Sequence, residues 1–466
     1  MVPLLKQDIQ LIPNQDEGVV SLQRQLPDGS SAALRVHPIQ AFIMALFNGQ
    51  NDELKVAEIL SEVMNIEKLA AKEVVAKLLN RFSLFFTKVT PSETPLLDIE
   101  LETLLFEGDE ALILSGREDA PSAMIWVVTE DCNRKCKYCY KDARYVADGH
   151  ATDIAFPYER VIKTIDEAAL IGVNRLIFTG GEPLMRHDLP EIIGHTIEQD
   201  IVPIVITKMR VEGQLMARLL KAGLEELHVS LDSIDANDVL ELVGVDGALD
   251  DMLVTIKECC EKGIKVILRP VMTAINVDNL GALIEHTYAM GVREFVIDVY
   301  GKTCGRHEPR FLLSNEREAQ LKEEVRALQQ AYPKAKMSFN FDMRDATEVK
   351  GCMEGLKGIT VQPNGICVKC EHIPAGPHNT FGDLNESGLL EIWISEKTKE
   401  IVVPSRKFFK GTSCYKCDLF RDCNYVRGRC TISAKSKFGT IHAPDVYCPL
   451  GEFHASRDID VKIVTA

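Results

Sequence analysis

Three features that would decide the class of this protein early are missing from its 466-residue sequence. No apolar run approaches the roughly 18 residues that a membrane-spanning helix needs. The N-terminus does not show a basic region followed by an apolar stretch, as a secretory signal does. Basic residues are in deficit, since 53 Lys and Arg face 69 Asp and Glu, giving a net charge of −16. We therefore expect a cytoplasmic protein that binds neither membranes nor nucleic acid.

The composition is otherwise that of an ordinary globular protein, except for its 14 cysteines. Hydrophobic residues at 46% and charged residues at 26% exclude disordered and low-complexity classes. The length predicts roughly two to four domains. Because a cytoplasmic protein keeps its thiols reduced, we interpret the cysteines as metal ligands rather than disulfide partners.

Residues 1–95 contain no cysteine and predict a small domain of three strands and three helices. Short apolar stretches separated by turn residues indicate the strands, and apolar residues at three-and-four spacing indicate the helices. A connector over 96–121 follows. The predicted strands cover 8–11, 19–25 and 32–36, and the predicted helices cover 39–47, 54–64 and 70–82.

Residues 122–310 alternate short apolar strands with amphipathic helices, which predicts a parallel sheet, either doubly wound or a full or partial barrel. In each case the chemistry belongs at the carboxyl ends of the strands. A bridging helical region is expected over 311–350. Residues 351–466 hold more than half of the cysteines, so we expect metal to stabilise this last region.

Three cysteines, Cys132, Cys136 and Cys139, follow directly after the first predicted strand of the array. Three thiolates in one loop suit an iron–sulfur cluster whose fourth iron has no protein ligand and is open for chemistry. A structural zinc knuckle is the alternative.

This loop resembles that of the radical S-adenosylmethionine (SAM) superfamily, which has the same spacing and an aromatic residue before the last cysteine, here Tyr138. A second match is Gly180-Gly181-Glu182-Pro183, after the second strand. The resemblance implies that this backbone and the Glu182 carboxylate receive the amino group of the cofactor's methionine. A tight turn is the alternative reading of this tetrapeptide.

Further along the barrel the resemblance is less complete. Ser230 and Asp232 match polar positions near the cofactor's ribose, although they could also be a helix-capping pair. Arg269 could bind the methionine carboxylate or be a surface ion-pair partner. The family often has Thr-Asn-Gly after the third strand, whereas this chain has Thr207-Lys208-Met209.

The C-terminal cysteines resemble the seven-cysteine SPASM order of radical enzymes that modify peptides. One spacing departs, because six residues separate the fifth and sixth cysteines where three are usual. Two auxiliary clusters, again [4Fe–4S] by the resemblance, are implied; a pair of zinc sites is the alternative. The first would use Cys352, Cys370 and Cys430, with Cys304, Cys367 or an open site as the fourth ligand, and the second would use Cys414, Cys417, Cys423 and Cys448.

Two acids are candidate catalytic bases. Glu371 follows Cys370 and matches a position that carries an acid in some SPASM enzymes, while Asp298 ends the sixth strand. Either could equally be a solvated or salt-bridged acid.

The N-terminal domain resembles the winged-helix RiPP recognition element, the leader-binding module of ribosomal-peptide maturases. The patterns that carry this likeness are 46–49 and 56–60. A winged-helix DNA binder and a plain packing domain are the alternatives, and the acidic balance disfavours DNA.

Together the resemblances imply an α/β enzyme with an N-terminal winged-helix domain, a partial (β/α)6 TIM-like barrel and a C-terminal cysteine-rich iron–sulfur domain. It would cleave SAM reductively and cross-link a ribosomally made precursor peptide that it binds through the leader. A flavodoxin or ferredoxin type protein would supply electrons. A formylglycine-generating sulfatase maturase and a non-enzymatic zinc-stabilised binding protein are the alternative hypotheses.

Overall fold

The structure is a computed structural model. The residues that it describes are 2–16, 18–25, 31–106, 117–141, 143–147, 156–301, 308–339, 352–420, 422–426, 428–445 and 448.

The N-terminal part contains the three predicted strands and three predicted helices, each within three residues of its expected bounds. Its strands β2, β3 and β4 form an antiparallel sheet in that order, with a core shared by the helices. A second sheet, which the sequence did not predict, pairs the first strand with the last. The predicted turn at 27–29 lies outside the described residues. The elements are β1 (Val2–Leu5), β2 (Ile9–Asn14), β3 (Val19–Gln25), β4 (Ser31–Val36), α1 (Pro38–Leu46), α2 (Glu53–Met64), α3 (Lys68–Arg81) and β5 (Phe86–Val89).

The central part is the expected β/α array. Its longer strands and helices agree with the sequence pattern, with three differences. The short helix α7 (Ala236–Val243) was not predicted, nor was the pair of two-residue strands β7 (Asp131–Cys132) and β8 (Arg144–Tyr145). Pro270 splits the fifth strand because proline donates no ladder hydrogen bond. The elements are β6 (Ala123–Val127), β7 (Asp131–Cys132), β8 (Arg144–Tyr145), α4 (Tyr158–Leu170), β9 (Arg175–Thr179), α5 (Leu189–Glu198), β10 (Val202–Thr207), α6 (Gly213–Lys221), β11 (Glu226–Val229), α7 (Ala236–Val243), α8 (Ala248–Lys262), β12 (Lys265–Leu268), β13 (Val271–Met272), α9 (Leu280–Ala289) and β14 (Glu294–Val299).

The parallel strands of this array lie side by side in chain order, β6-β9-β10-β11-β12-β14. Sequential order is that of a barrel rather than of a doubly wound sheet, whose strand order reverses. It brings the segment after every strand to one edge of the sheet.

The C-terminal part continues the same sheet. Its hairpin strand β16 pairs in parallel with β6, so the strand leading to the first cysteine loop has a neighbour from the cysteine-rich region. This pairing leaves the array open as a partial barrel. The elements are α10 (Asn315–Ala331), β15 (Lys336–Phe339), β16 (Gly358–Val361), β17 (Ile366–Val368), β18 (Thr380–Asp383), α11 (Leu389–Ile394), α12 (Glu396–Val402) and α13 (Thr431–Phe438).

The N-terminal and C-terminal parts meet at strand β4, which contacts helix α11. Arg35 of that strand also contacts Glu396 at 3.3 Å. In the described part of the chain, no helix has the length and apolar character needed to cross a membrane.

Candidate active site

The cysteine loop and the glycine turn pack against each other through their backbones. Gly181 N donates to Thr129 O at 2.8 Å, and Glu182 N donates to Asp131 O at 2.8 Å. A Cβ atom would lie 2.5 Å from Thr129 O on Gly180 and 2.1 Å from Asp131 O on Gly181. Both positions therefore require glycine for this contact alone, whatever the turn binds.

Glu182 is buried and links the glycine turn to the end of β10. Its carboxylate accepts hydrogen bonds from Thr207 Oγ1 at 2.7 Å, Lys208 N at 2.9 Å and Leu184 N at 3.1 Å. Burial raises the pKa of Glu182, and these hydrogen bonds oppose the rise. Glu182 thus fixes the relative position of two strand ends, and its role toward the cofactor amine stays a prediction.

A second polar network joins the next strand ends to the cysteine loop. Lys208 Nζ donates to Ser230 Oγ at 2.8 Å and contacts Asp232 Oδ2 at 2.9 Å. Tyr138, the aromatic residue of the loop, donates its hydroxyl to the same Asp232 oxygen. The chain has Thr207-Lys208-Met209 where the family often has Thr-Asn-Gly, and this difference places a cation next to the cysteine loop.

Asp232 is the centre of this network. Its other oxygen accepts Val271 N at 2.9 Å, and its backbone carbonyl accepts Asn276 Nδ2 at 2.7 Å. Sequence analysis missed Lys208 and Asn276 as site residues. The break in the Thr-Asn-Gly pattern was a signal for Lys208, whereas nothing in the local sequence marked Asn276.

Two candidates from neighbouring strand ends contact each other. Arg269 Nη2 lies 3.3 Å from Asp298 Oδ2, and both side chains are partly buried. For Arg269 the sequence left open an ion pair instead of cofactor binding, and for Asp298 a salt bridge instead of catalysis. The contact between them is compatible with these two alternatives.

The thiols of the first loop lie in a buried, electrostatically crowded place. Burial, with Glu182 and the other two thiols as neighbours, raises the pKa of Cys132 to about 12. Burial also raises the pKa of Cys136 to about 12, although Lys208 opposes the rise. Cys139 is a neighbour of both. Buried thiols become thiolates when a cationic centre binds them, so the loop suits a metal cluster.

The two sets of auxiliary cysteines that the resemblance implied stay a prediction, and the structure shows which thiols are neighbours. Burial raises the pKa of Cys352 to about 12 with Cys430 nearby, and that of Cys370 rises with Cys352 nearby. Burial raises the pKa of Cys414 to about 12, with Cys448, Cys423 and Cys417 as its thiol neighbours.

The spacing of these thiols bears on the type of metal centre. Among the described residues, no three His, Cys, Asp or Glu side chains are arranged to hold a single metal ion. A zinc ion gathers its thiolates at about 2.3 Å from one point, whereas each thiolate of a [4Fe–4S] cluster binds a different iron. Sets made only of cysteine thiolates are the usual ligands of iron–sulfur clusters.

The remaining cysteines lie elsewhere. Cys367 is fully buried in the main hydrophobic core, where Asp383 is its charged neighbour. Cys304 lies outside the described residues.

The first cysteine loop and the auxiliary region touch directly. The rings of Tyr140 and His372 stack with centroids 3.8 Å apart. Lys141 Nζ lies 3.9 Å from Glu371 Oε2, and Tyr140 hydrogen-bonds to Glu371. Tyr140 and Lys141 directly follow Cys139, and adjacency to a ligand was the one signal that could have found them.

Glu371 has an unusual environment for an acid. Its Oε2 atom is buried and has no hydrogen-bond partner among the described residues. The neighbouring Glu354 is also buried, and this burial together with the charge of Glu371 raises the pKa of Glu354 to about 7.

Comparison with known proteins agrees with this architecture. The radical SAM superfamily matches residues 126–286, and the SPASM iron–sulfur cluster-binding domain matches residues 352–424. These two matches indicate an enzyme whose cofactors are S-adenosylmethionine and iron–sulfur clusters, as the sequence predicted.

Individual relatives extend the comparison. The chain is 26% identical to PqqA peptide cyclase of Granulibacter bethesdensis, over 72% of this chain and 89% of that protein. It is 34% identical to Fe-coproporphyrin III synthase of Methanosarcina barkeri, over 37% of this chain and 42% of that protein. SuiB of Streptococcus suis, solved with its precursor peptide SuiA, is 16% identical, has a TM-score of 0.62, and matches 96% of this chain and 100% of SuiB. The likeness to SuiB establishes the fold.

Proposed function

We propose that this enzyme is a peptide maturase that installs an oxidative cross-link, a thioether or a carbon–carbon bond, in a ribosomally made precursor peptide. The observation that carries the proposal is the direct contact between two cysteine sites. Strand β6 leads into the first loop and pairs with β16, and the Tyr140–His372 stack joins the segments beyond. PqqA peptide cyclase, which acts on a peptide, and SuiB, which binds one, support a peptide substrate.

Cross-linking two residues removes two electrons and two protons from the peptide. When bound and reduced, the cluster and SAM together supply a 5′-deoxyadenosyl radical, which takes one hydrogen atom from an unactivated C–H bond. The second electron and second proton must also leave. The auxiliary cysteines would hold the electron acceptor beside the first site.

Glu371 is the better candidate for the second proton. Its Oε2 accepts no hydrogen bond from the described residues and lies 3.9 Å from Lys141 Nζ between the two cysteine sites, whereas Asp298 Oδ2 lies closer to its cation, 3.3 Å from Arg269 Nη2. The ion pair with Lys141 orients the Glu371 carboxylate.

The N-terminal sheet supports recognition of the leader. Strand β2 is an edge of its three-stranded sheet, whereas the opposite edge strand, β4, contacts helix α11. An exposed edge accepts an extended peptide as an added strand through main-chain hydrogen bonds. We propose that this domain is a RiPP recognition element and that a flavodoxin or ferredoxin type protein is the reductant.

The test begins with anaerobic reconstitution with iron and sulfide, followed by dithionite and SAM. We expect 5′-deoxyadenosine by mass spectrometry, none of it from Cys132→Ala, and iron near twelve atoms per chain if three [4Fe–4S] clusters assemble, as roughly four iron atoms each require. With the peptide encoded beside this gene, the product should lack two hydrogens. A preparation that never releases 5′-deoxyadenosine contradicts the proposal.

Glu371→Gln tests the proposed base. We expect 5′-deoxyadenosine formation to persist while cross-linked product falls about 100-fold, the usual scale for loss of a general base. Glu386→Gln, at an exposed acid of the same region, is the matched control. Equal product from the two variants would leave Glu371 without this role.

A further inference from the structure

The segment 404–440 reverses the charge balance of the molecule. It contains nine Lys and Arg residues and two Asp, in a chain whose net charge is −16. Cys414, Cys417 and Cys423 of the second auxiliary set lie within it. A strong local positive charge therefore surrounds these cysteines although the protein as a whole is acidic.

Three lysines of this segment, Lys407, Lys410 and Lys416, are exposed. No carboxylate of the described residues lies within ion-pair distance of them, and Lys407 Nζ lies 5.4 Å from the centroid of the Phe408 ring. Some lysines elsewhere are paired, as Lys265 is with Glu226 at 3.0 Å. Uncompensated cations on one surface generate a field that reaches an approaching partner.

Large apolar side chains stand among these lysines. Phe408 is 49% exposed, Leu419 47% and Tyr415 38%. Exposed apolar side chains rimmed by polar groups mark interaction sites on soluble proteins. We call the six residues the basic apolar surface: Lys407, Phe408, Lys410, Tyr415, Lys416 and Leu419.

Hydrogen bonds and ring contacts fix the backbone that carries the basic apolar surface. Arg406 donates to Cys417 O at 3.0 Å and to Tyr415 O at 3.3 Å, and its guanidinium covers the Phe420 ring at 4.5 Å. Phe408 stacks on His442 with ring centroids 5.1 Å apart. The short turns that carry the surface therefore have a fixed geometry next to the cysteine pair.

We propose that the basic apolar surface is the docking site of a small acidic electron-transfer protein. Its charge complements an acidic carrier, and its apolar centre gives a contact of modest size, as weak, salt-dependent encounters between electron-transfer proteins require. The auxiliary cysteines nearest the surface are those of the Cys414 set. This inference rests on the proposed function, which needs an electron carrier.

The test measures binding of a purified acidic flavodoxin to the reconstituted enzyme, by biolayer interferometry at 50 mM and 300 mM salt. We expect K407E/K410E/K416E to weaken binding at low salt at least about tenfold, and the wild type to lose affinity at high salt. K407Q/K410Q/K416Q should lie between. The matched control is K221E/K334E/K397E, which makes the same charge change at scattered exposed lysines.

Equal weakening by the control and the test variant, or unchanged binding by K407E/K410E/K416E, overturns the docking site. The docking proposal is also overturned if the wild type binds a poly-L-glutamate decamer more tightly than flavodoxin and K407E/K410E/K416E loses that binding. The surface would then be assigned to an acidic peptide. Dithionite-driven 5′-deoxyadenosine formation separates this proposal from the function. If K407E/K410E/K416E still forms 5′-deoxyadenosine with dithionite, its loss of flavodoxin binding is a docking defect. If the wild type forms no 5′-deoxyadenosine, the proposed function itself fails.

Discussion

The barrel and the region that follows residue 404 bury polar groups in opposite ways. In the barrel, the acids Glu182 and Asp232 have their hydrogen bonds supplied by backbone amides, a hydroxyl and Lys208. The later region buries Arg429, which donates to Ala443 O at 2.7 Å and to Asn424 Oδ1 at 3.1 Å and has cysteines as its charged neighbours.

This difference indicates which part of the fold depends on bound metal for its stability. The barrel has strands in register and a large apolar core that needs no cofactor to form. The described part of the later region has short turns and the helix α13, and its interior combines a few apolar residues, such as Phe409 and Phe420, with thiols and a buried cation. Arg429 has Asp445 and three thiols as charged neighbours, and the thiols become negatively charged when they bind a cluster.

Removing the iron should separate the two regions most strongly. We expect the apoprotein to keep hydrogen-exchange protection in β9 and β10 while the backbone amides of 406–445 become nearly unprotected, because metal binding contributes most of the local stability there. Hydrogen exchange with mass spectrometry on apo and reconstituted protein measures this. Equal protection of both regions in the apoprotein would contradict the comparison.

Lys208→Met should be the largest single-residue effect in the barrel. It leaves Asp232 buried without its cation, and breaking a buried pair costs about 4 kcal/mol of unfolding free energy. Urea unfolding of the variant measures this loss. Lys221→Met, at an exposed lysine of α6, is the control. Adding Asp232→Asn to Lys208→Met should recover part of the lost unfolding free energy, since a neutral amide needs no counter-charge. If the losses of the two single variants simply added up in the double variant, this would argue against a coupled pair.

Gly181→Ala tests the backbone contact beneath the cysteine loop. Its Cβ would lie 2.1 Å from Asp131 O, so one of the two segments must move, at a cost of about 3 kcal/mol. Iron at the first site should fall while the auxiliary iron remains, as electron paramagnetic resonance with and without SAM can distinguish. Gly281→Ala, in helix α9 with open space at its Cβ, should be neutral or slightly stabilising. Normal iron at the first site of G181A would contradict this reading.

These effects also show where sequence reasoning stops. Local periodicity was sufficient for most barrel elements, although not for α7, and α10 lies within the helical region that the pattern predicted over 311–350. The pairing of β16 with β6 was not predictable, because the pattern of a strand does not encode its partner more than 200 residues away. The same holds for Lys208, whose position was noticed as a departure while its partner Asp232 became visible only in three dimensions. The cysteine sets could be proposed from the sequence because ligand spacing is itself a sequence feature, and they stay a prediction.

Acid should lower the stability of the region after residue 404 more than that of the barrel. This is the smallest of the predicted effects. Burial, with His378, Arg429 and Lys369 as positive neighbours, lowers the pKa of His442 from 6.5 to about 4. Since the folded state then binds fewer protons than the unfolded state, the contribution to stability is complete above pH 6.5 and is lost as the pH falls toward 4. After allowance for partial solvent exposure, we expect about 1 kcal/mol less local stability at pH 5.5 than at pH 7.5. Hydrogen exchange of 431–445 measures this, with β10 as the internal reference. His442→Phe keeps the stacking on Phe408 and should remove the pH dependence, and a variant that retained the full slope would place the titrating group elsewhere in the region.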